Sequence, residues 1–514
     1  MAILNTPYIA CAWTTPEDHE KNTSAHPPSP ACCSRPLPRV VPCLPAMTSC
    51  LPVRMRNRLL TTTLCLLSAV TVSCTPAIRE FFAPVEVPEK FNATGTETLA
   101  DRWWLALQDE HLNGLISAGL SGNLSLRMAW DRLDQAGAVA RKSGADLLPS
   151  LDGTAELSRR TVKNAGADRD SSSSHTLALA ASYELDLWGR VRAGRQAAEF
   201  DLLASREDLQ AAAITLSAEV ATAWYQLLEQ RQQITLLQEQ ISINEQYLAL
   251  VTSQFSNGQA RATDVLQQRQ ILEASRGELI TARTSEKLLA HQLAVLLGKA
   301  PGDFAPPAAA GPVELPPLPD TGLPVQLMEK RPDIRRAFYQ VQAADQRVAA
   351  AIADRFPSIS LLATAEAGDS SVRDLFDNWL ASLAANLSAP LFDGGRRAAE
   401  VDRASGAAAE ALHSYGQTML TALREVEDAL VAETRQRDFL ASLDRQLALS
   451  SQSMEQTRER YIYGDMDFLR FLTTILNHQS LQRSRIRAGR QLIDFRISLY
   501  RALAGGWDLE RSEE

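Results

Sequence analysis

Beyond residue 74 the chain has no cysteine: all seven (Cys11, Cys32, Cys33, Cys43, Cys50, Cys65 and Cys74) lie in the first 74 of its 514 residues. That excludes a disulfide framework or a cysteine metal site from the body of the protein. Proline is just as uneven. Ten of the 25 precede residue 54, none lies between Ser150 and Ala300, and none follows Pro390, so long helices are free to form in both stretches. No apolar run reaches the ~20 residues of a spanning helix. The histidines after the leader (His111, His175, His291, His413, His478) are scattered and form no HExxH, and there is no phosphate-binding or nucleophile-turn motif. An enzyme is not expected, nor is a cofactor. Beyond residue 73, 46 basic side chains face 58 acidic ones, which argues against a nucleic-acid partner.

Residues 1–46 mix Pro, Cys and Ser without periodicity. Met55-Arg56-Asn57-Arg58 then opens an apolar stretch, Leu59 to Val72, closed by Thr71-Val72-Ser73-Cys74. Basic residues, a short apolar core and small residues before a cut predict a secretory signal peptide over 55–73, with 1–54 a leader from a mis-assigned start. The segment before Cys74 resembles a lipobox, departing from it at Thr71. The expectation is N-acyl and diacylglycerol lipid on Cys74, with 74–100 an extended tether kept open by Pro76, Pro84 and Pro88.

The remainder repeats itself. Ala145-Asp146-Leu147-Leu148-Pro149-Ser150-Leu151 returns as Ala353-Asp354-Arg355-Phe356-Pro357-Ser358-Ile359, an offset of 208. Leu187-Trp188-Gly189-Arg190 returns as Leu391-Phe392 followed by Gly394 and Arg396, Gln254 to Gly258 as Arg460 to Gly464, and Leu296-Leu297-Gly298 as Leu503-Ala504-Gly505. The chain is therefore a tandem repeat of about 206 residues. The expected units are 101–310 and 311–505, with a tail over 506–514. Each half reads helix, strand, strand, long helix, turn, helix. The long helices, Arg190 to Thr252 and Arg396 to Arg460, are rich in Ala, Leu, Gln, Glu and Arg.

A rod of helices alone would be a coiled-coil scaffold, but period-two segments precede both long helices. Leu177, Leu179, Ala181, Tyr183, Leu185 and Leu187 alternate with small or polar residues, as do Leu151 to Leu157 opposite them, across a polar loop Asn164 to Ser174. Ile359 to Ala365 and Trp379 to Leu387 behave alike. Strands of ~10 residues with one apolar face describe a membrane barrel. Four strands cannot close one, and open edges are excluded in lipid, so other copies must complete it. Two copies give eight strands and three give twelve; transport favours three.

Tyr183-Glu184-Leu185-Asp186-Leu187-Trp188-Gly189-Arg190-Val191-Arg192, Arg331-Pro332-Asp333-Ile334-Arg335, Ala389-Pro390-Leu391-Phe392-Asp393-Gly394-Gly395 and Trp103-Trp104 together resemble the outer-membrane factor family, the TolC-like efflux proteins, in their lipoprotein branch. The resemblance implies a mainly α protein with a β-barrel. It would be a homotrimer with a 12-stranded barrel in the outer membrane, continued by a long α-helical barrel across the periplasm. It implies a passive exit duct for drugs or toxic compounds, docked to a periplasmic adaptor and an inner-membrane transporter of RND type. Protein export through a type I system and metal-ion export are the alternative cargoes.

The resemblance also places a gate. Gly258 and Gly464 mark the helix-to-helix turns, and the family's closed iris pairs a Tyr with an Asp, here Tyr461 and Asp264. Acidic rings are common six and nine residues after the second Gly, where this chain has Arg470 and Thr473. Three copies of Arg470 around a narrow hole disfavour cations. Asp465 and Asp467 partly compensate, so a weaker cation preference than in relatives with acidic rings is expected.

Overall fold

The computed structural model describes residues 85–96, 101–166, 168–308 and 315–511, Asp303 by its backbone alone. The expected leader, signal segment and Cys74 lie outside them. The first helices are α1 (Glu110–Gly122) and α2 (Leu124–Ala145). Asn123 separates them and caps α2 by accepting from the Leu126 N–H at 3.0 Å. A hairpin follows, β1 (Ser150–Val162) and β2 (Asp170–Leu185), then α3 (Arg190–Ser256) and α4 (Ala262–Leu296). The short α5 (Pro324–Lys330) leads into a second pass of the same order: α6 (Pro332–Ala353), β3 (Ser358–Asp369), β4 (Trp379–Ser388), α7 (Arg396–Ile462) and α8 (Phe468–Leu503). The repeat read in the sequence is the repeat of the fold.

Each long helix has 67 residues, roughly 100 Å at 1.5 Å per residue. Both begin from the strand before them by the same device. Asp186 accepts from the N–H groups of Val191 and Arg192 at 3.0 and 2.9 Å. Asp393 does so from Gly395 and Arg397 at 3.0 and 3.2 Å. Gly189 and Gly395 take φ of 78° and 86°, a turn that side chains resist. No helix among the described residues is long and apolar enough to cross a membrane.

The four strands form one antiparallel sheet in chain order. Its register, Leu151↔Ala181↔Ala363↔Leu383 and Leu185↔Ile359↔Leu387, puts the apolar alternates of all four strands on one face. Asp152, Thr154, Glu156, Thr364, Glu366 and Asn386 share the other. The apolar face has no cover: Leu157 and Leu383 are about four-fifths exposed. One expectation is corrected. Asp170 to Ser174, read as loop, belong to β2 and pair in turn with Val162, Thr161, Arg160, Arg159 and Ser158. The hairpin ladder outlasts the apolar band, and Thr161 and Ser171 join hydroxyls across it at 3.1 Å.

Below the sheet, α3 packs against α2, α4, α6 and α8, and α7 against α6 and α8. A core around Trp103, Trp104, Trp224, Tyr225, Tyr500 and Trp507 gathers α1, α3 and α8. The Trp103 indole donates to Ser217 at 3.1 Å and that of Trp224 to Asp109 at 2.8 Å. Arg496 is fully buried; its guanidinium holds Glu433 at 2.6 and 2.9 Å and the carbonyls of Pro316 and Pro317 at 2.8 and 3.0 Å. Removing Glu433 would strand the buried Arg496 charge, at a cost of about 3–5 kcal/mol, whereas Glu433 without Arg496 keeps Arg437 at 2.8 Å. In the Arg331-Pro332-Asp333 motif, Arg331 grips Asp333 and Glu425 and donates to the Ala502 carbonyl.

At the α3–α8 seam Arg490 serves two carboxylates, Glu229 at 2.9 Å and Asp494. Burial pushes the Asp494 carboxyl from its ordinary 3.8 up to about 6, with Glu229 adding to the rise and Arg490 opposing it. The protonated acid is thus favoured in the folded state. Its contribution is complete below about pH 4 and lost as pH rises through about 6. Asp494→Asn is therefore expected to remove a component of about 2–3 kcal/mol from the fall of stability between pH 4 and 7. Thermal unfolding of both proteins across that range checks it; parallel profiles would contradict it.

Candidate functional site

At the end of the helices remote from the sheet, α3 and α7 each stop at a glycine. Gly258 and Gly464 have φ of 73° and 79°. The Gln259 N–H reaches back to the Gln254 carbonyl at 2.8 Å and the Asp465 N–H to that of Arg460 at 2.9 Å. These are left-handed helix endings that only glycine adopts without strain. Two of the residues read as gate residues start the returning helices. Asp467 caps α8, accepting from the Arg470 N–H at 3.0 Å. Asp264 accepts from the Arg261 N–H at 3.0 Å and the Thr263 hydroxyl at 3.3 Å at the start of α4.

Tyr461 lies buried in a cluster with Val251, Val265, Phe468, Phe471, Leu472 and Ile475. Its ring stacks on Phe471 at 4.7 Å, and Tyr247 meets Phe471 edge-on at 5.1 Å. The expected pairing is corrected here: the Tyr461 hydroxyl donates to Gln254 Oε1 at 2.5 Å, not to Asp264. Asp264 is already engaged by its own helix start, whereas Gln254 stands in the last turn of α3. Burial, and secondarily the nearby Asp264 carboxylate, push the phenol up to about 12, so it stays a proton donor throughout the physiological range. The link ties α7 of the second repeat to α3 of the first. Asp465, Arg470 and Thr473 are exposed on the tip. Thr473 donates to the Leu469 carbonyl at 2.8 Å, and Arg470 has no side-chain partner among the described residues.

Above the tip runs a ladder of buried amides that sequence reasoning missed. Asn244 donates to Ser275 at 3.2 Å and accepts from Gln479 at 3.1 Å. Gln268 donates to the Asn244 carbonyl at 3.0 Å. Gln240 donates to the Gln479 carbonyl at 3.2 Å and accepts from Arg483 at 2.7 Å. Glutamines on a long helix look like a solvated face in sequence. Here they close α3 against α4 and α8, with hydrogen bonds strengthened by burial. Among the described residues no group of His, Cys, Asp and Glu is placed to hold a metal.

A sheet with one apolar face, prolonged by paired helices of about 100 Å that end in glycine turns, defines a membrane channel with a helical extension. The outer membrane efflux protein family matches residues 115–299 and 323–505, once per repeat, and the chain belongs to that family. It is 32% identical to the pyoverdine export outer membrane protein OpmQ of Pseudomonas aeruginosa, over 82% of this chain and 91% of that one. To the cation efflux system protein CusC of Escherichia coli it is 29% identical, over 82% and 93%. The solved structure of the outer-membrane channel OprN superposes with a TM-score of 0.77 at 28% identity, over 84% of this chain and 99% of that one. The protein is an outer-membrane efflux channel reaching into the periplasm, and its family is one of transport proteins.

If the Tyr461–Gln254 link holds the tip closed, Tyr461→Phe and Gln254→Ala each weaken closure by about 1 kcal/mol per chain. Asp264→Asn, which keeps the helix start capped, does little. Conductance in planar bilayers should rise for the first two variants and stay near the parent level for the third. A leak from Asp264→Asn alone, with Gln254→Ala silent, would restore the pairing expected from sequence.

Proposed function

We propose that this chain is the passive exit duct of a tripartite efflux system for small molecules, working without a catalytic step. The observation that carries it is the four-stranded sheet with one uncovered apolar face and two unpaired edges, continuous with long paired helices. Three copies supply twelve strands, enough to close a barrel around a channel. The helices continue that channel across the periplasm, where an adaptor and an inner-membrane transporter supply cargo and energy. The acyl anchor on Cys74 belongs to the same proposal.

Relatives named for pyoverdine export and for toluene or solvent efflux support a small organic cargo. One relative is named for cation efflux, but the tip weighs against a cation-selective duct here. Arg470 stands exposed and without a carboxylate partner among the described residues, and Thr473 adds no charge. Three arginines around a constriction repel cations, while Asp465 and Asp467 moderate the field.

Reversal potentials under a salt gradient test the charge assignment. The parent channel should show weak cation preference, and Arg470→Ala should move it toward cations. Strong cation selectivity abolished by Asp465→Asn with Asp467→Asn, and unmoved by Arg470→Ala, would overturn it.

A further inference from the structure

The uncovered face of the sheet can be measured against a bilayer. Its rungs run from Leu185, Ile359 and Leu387 beside the long helices to Leu157 and His175 at the far end. That is ten steps along β2, roughly 34 Å of strand. At the ~40° tilt of a barrel strand it stands about 26 Å tall, the height of the apolar band of an outer-membrane barrel. Tyr183 lies one rung inside the lower end and Trp379 one rung inside the upper, as aromatic side chains do at membrane–water boundaries.

The hairpin does not stop at that boundary. Strands β1 and β2 stay paired for five more residues each, Ser158 to Val162 against Ser174 to Asp170, while β3 ends at Asp369 and β4 begins at Trp379. The unbroken register sorts this extension by face. Arg159 continues the face of Leu157, with Ser173 opposite it and Thr161 and Ser171 one rung further on. Arg160, Ser172 and Asp170 continue the face of Glu156, and Lys163, Asp168 and Arg169 follow outside the strands. The outward strip thus carries a guanidinium, three hydroxyls and no carboxylate. Arg159 is exposed, and its side chain has no partner among the described residues. The outward carboxylate Asp369 sits one rung lower, on β3, and is engaged by the Ser370 hydroxyl, the Ser371 N–H and the Asn378 amide.

We propose that the outward face of this hairpin extension binds the phosphorylated sugar headgroup of an outer-leaflet glycolipid, with a phosphate on Arg159 and sugar hydroxyls on Ser173 and Thr161. A guanidinium holds a phosphate through two parallel hydrogen bonds, and hydroxyl side chains both donate to and accept from a sugar. The acyl chains of the same molecule would lie on the rungs of Leu157 and Leu151 directly below. A free phosphate ion could satisfy Arg159 but would leave those leucines uncovered, so the charge and the apolar face together select a lipid. Pairing of the β1 edge with another copy runs through backbone groups in the plane of the sheet and leaves Arg159 facing outward.

This rests on the sheet lying in the outer membrane, and reconstitution separates the two. The assembled protein is placed in phosphatidylcholine nanodiscs doped with bis-phosphorylated lipid A or with its dephosphorylated form, and the lipid retained on the protein is counted by native mass spectrometry. The parent should retain the phosphorylated form about 10-fold better, the worth of a charge-assisted phosphate contact. Arg159→Ala should abolish most of that preference, and Arg159→Lys should keep part of it, a charge without the fork. Arg160→Ala removes the same charge from the opposite face and should leave retention at the parent level. Equal losses from Arg159→Ala and Arg160→Ala would mean diffuse attraction and overturn the site. Indifference of the parent to the phosphates would do the same, as would displacement of the lipid by millimolar inorganic phosphate. A protein that inserts yet shows no preference leaves the channel reading standing; one that does not enter the nanodisc removes both.

Discussion

Everything in this structure answers to the backbone hydrogen bonds of four strands. In hydrocarbon each unpaired N–H or C=O costs several kcal/mol. The internal pairings satisfy β2 and β3 on both sides and leave β1 and β4 satisfied on one. A chain with a lipid-facing Leu157 and Leu383 cannot leave those edges bare. Oligomerisation is therefore a condition of the sheet existing where its apolar face belongs, and the lumen that makes the protein useful is a by-product of closing it.

The helices inherit their arrangement from that closure. Each hairpin hands the chain to a 67-residue helix through an aspartate-capped glycine turn, so sheet order becomes helix order. Polar residues then divide the labour. The buried amides around Asn244 and Gln240 fix α3 to its neighbours along the stem, and the Tyr461–Gln254 bond spans the repeats at the tip. A seam held by many bonds in the middle and few at the end is built to move at its end.

Much of this was legible in the sequence, for physical reasons. Lipid and lumen differ so strongly in polarity that the period-two alternation from Leu177 marked a barrel strand, although the strand stops at Leu185 and Leu187 belongs to the turn that follows. Proline-free stretches closed by Gly258 and Gly464 announced the long helices and their turns. What stayed hidden depended on partners distant in sequence. Ser171 to Ser174 have the composition of a loop and become strand because Ser158 to Thr161 offer a ladder. The family resemblance paired Tyr461 with Asp264 but could not say which acceptor would be free, and the capping demand of α4 decided it. Glu433 and Arg496 look like ordinary surface residues of helices until 63 residues of chain fold back to bury them together.

Hydrogen–deuterium exchange of the assembled protein in lipid tests the central claim most directly. The alternate amides of β1 and β4 that bond neither β2 nor β3 should be protected as strongly as the amides of β2 and β3, because another copy pairs with them. Exchange of those edge amides as fast as the turn at Ala165 and Gly166 would contradict closure by neighbouring copies.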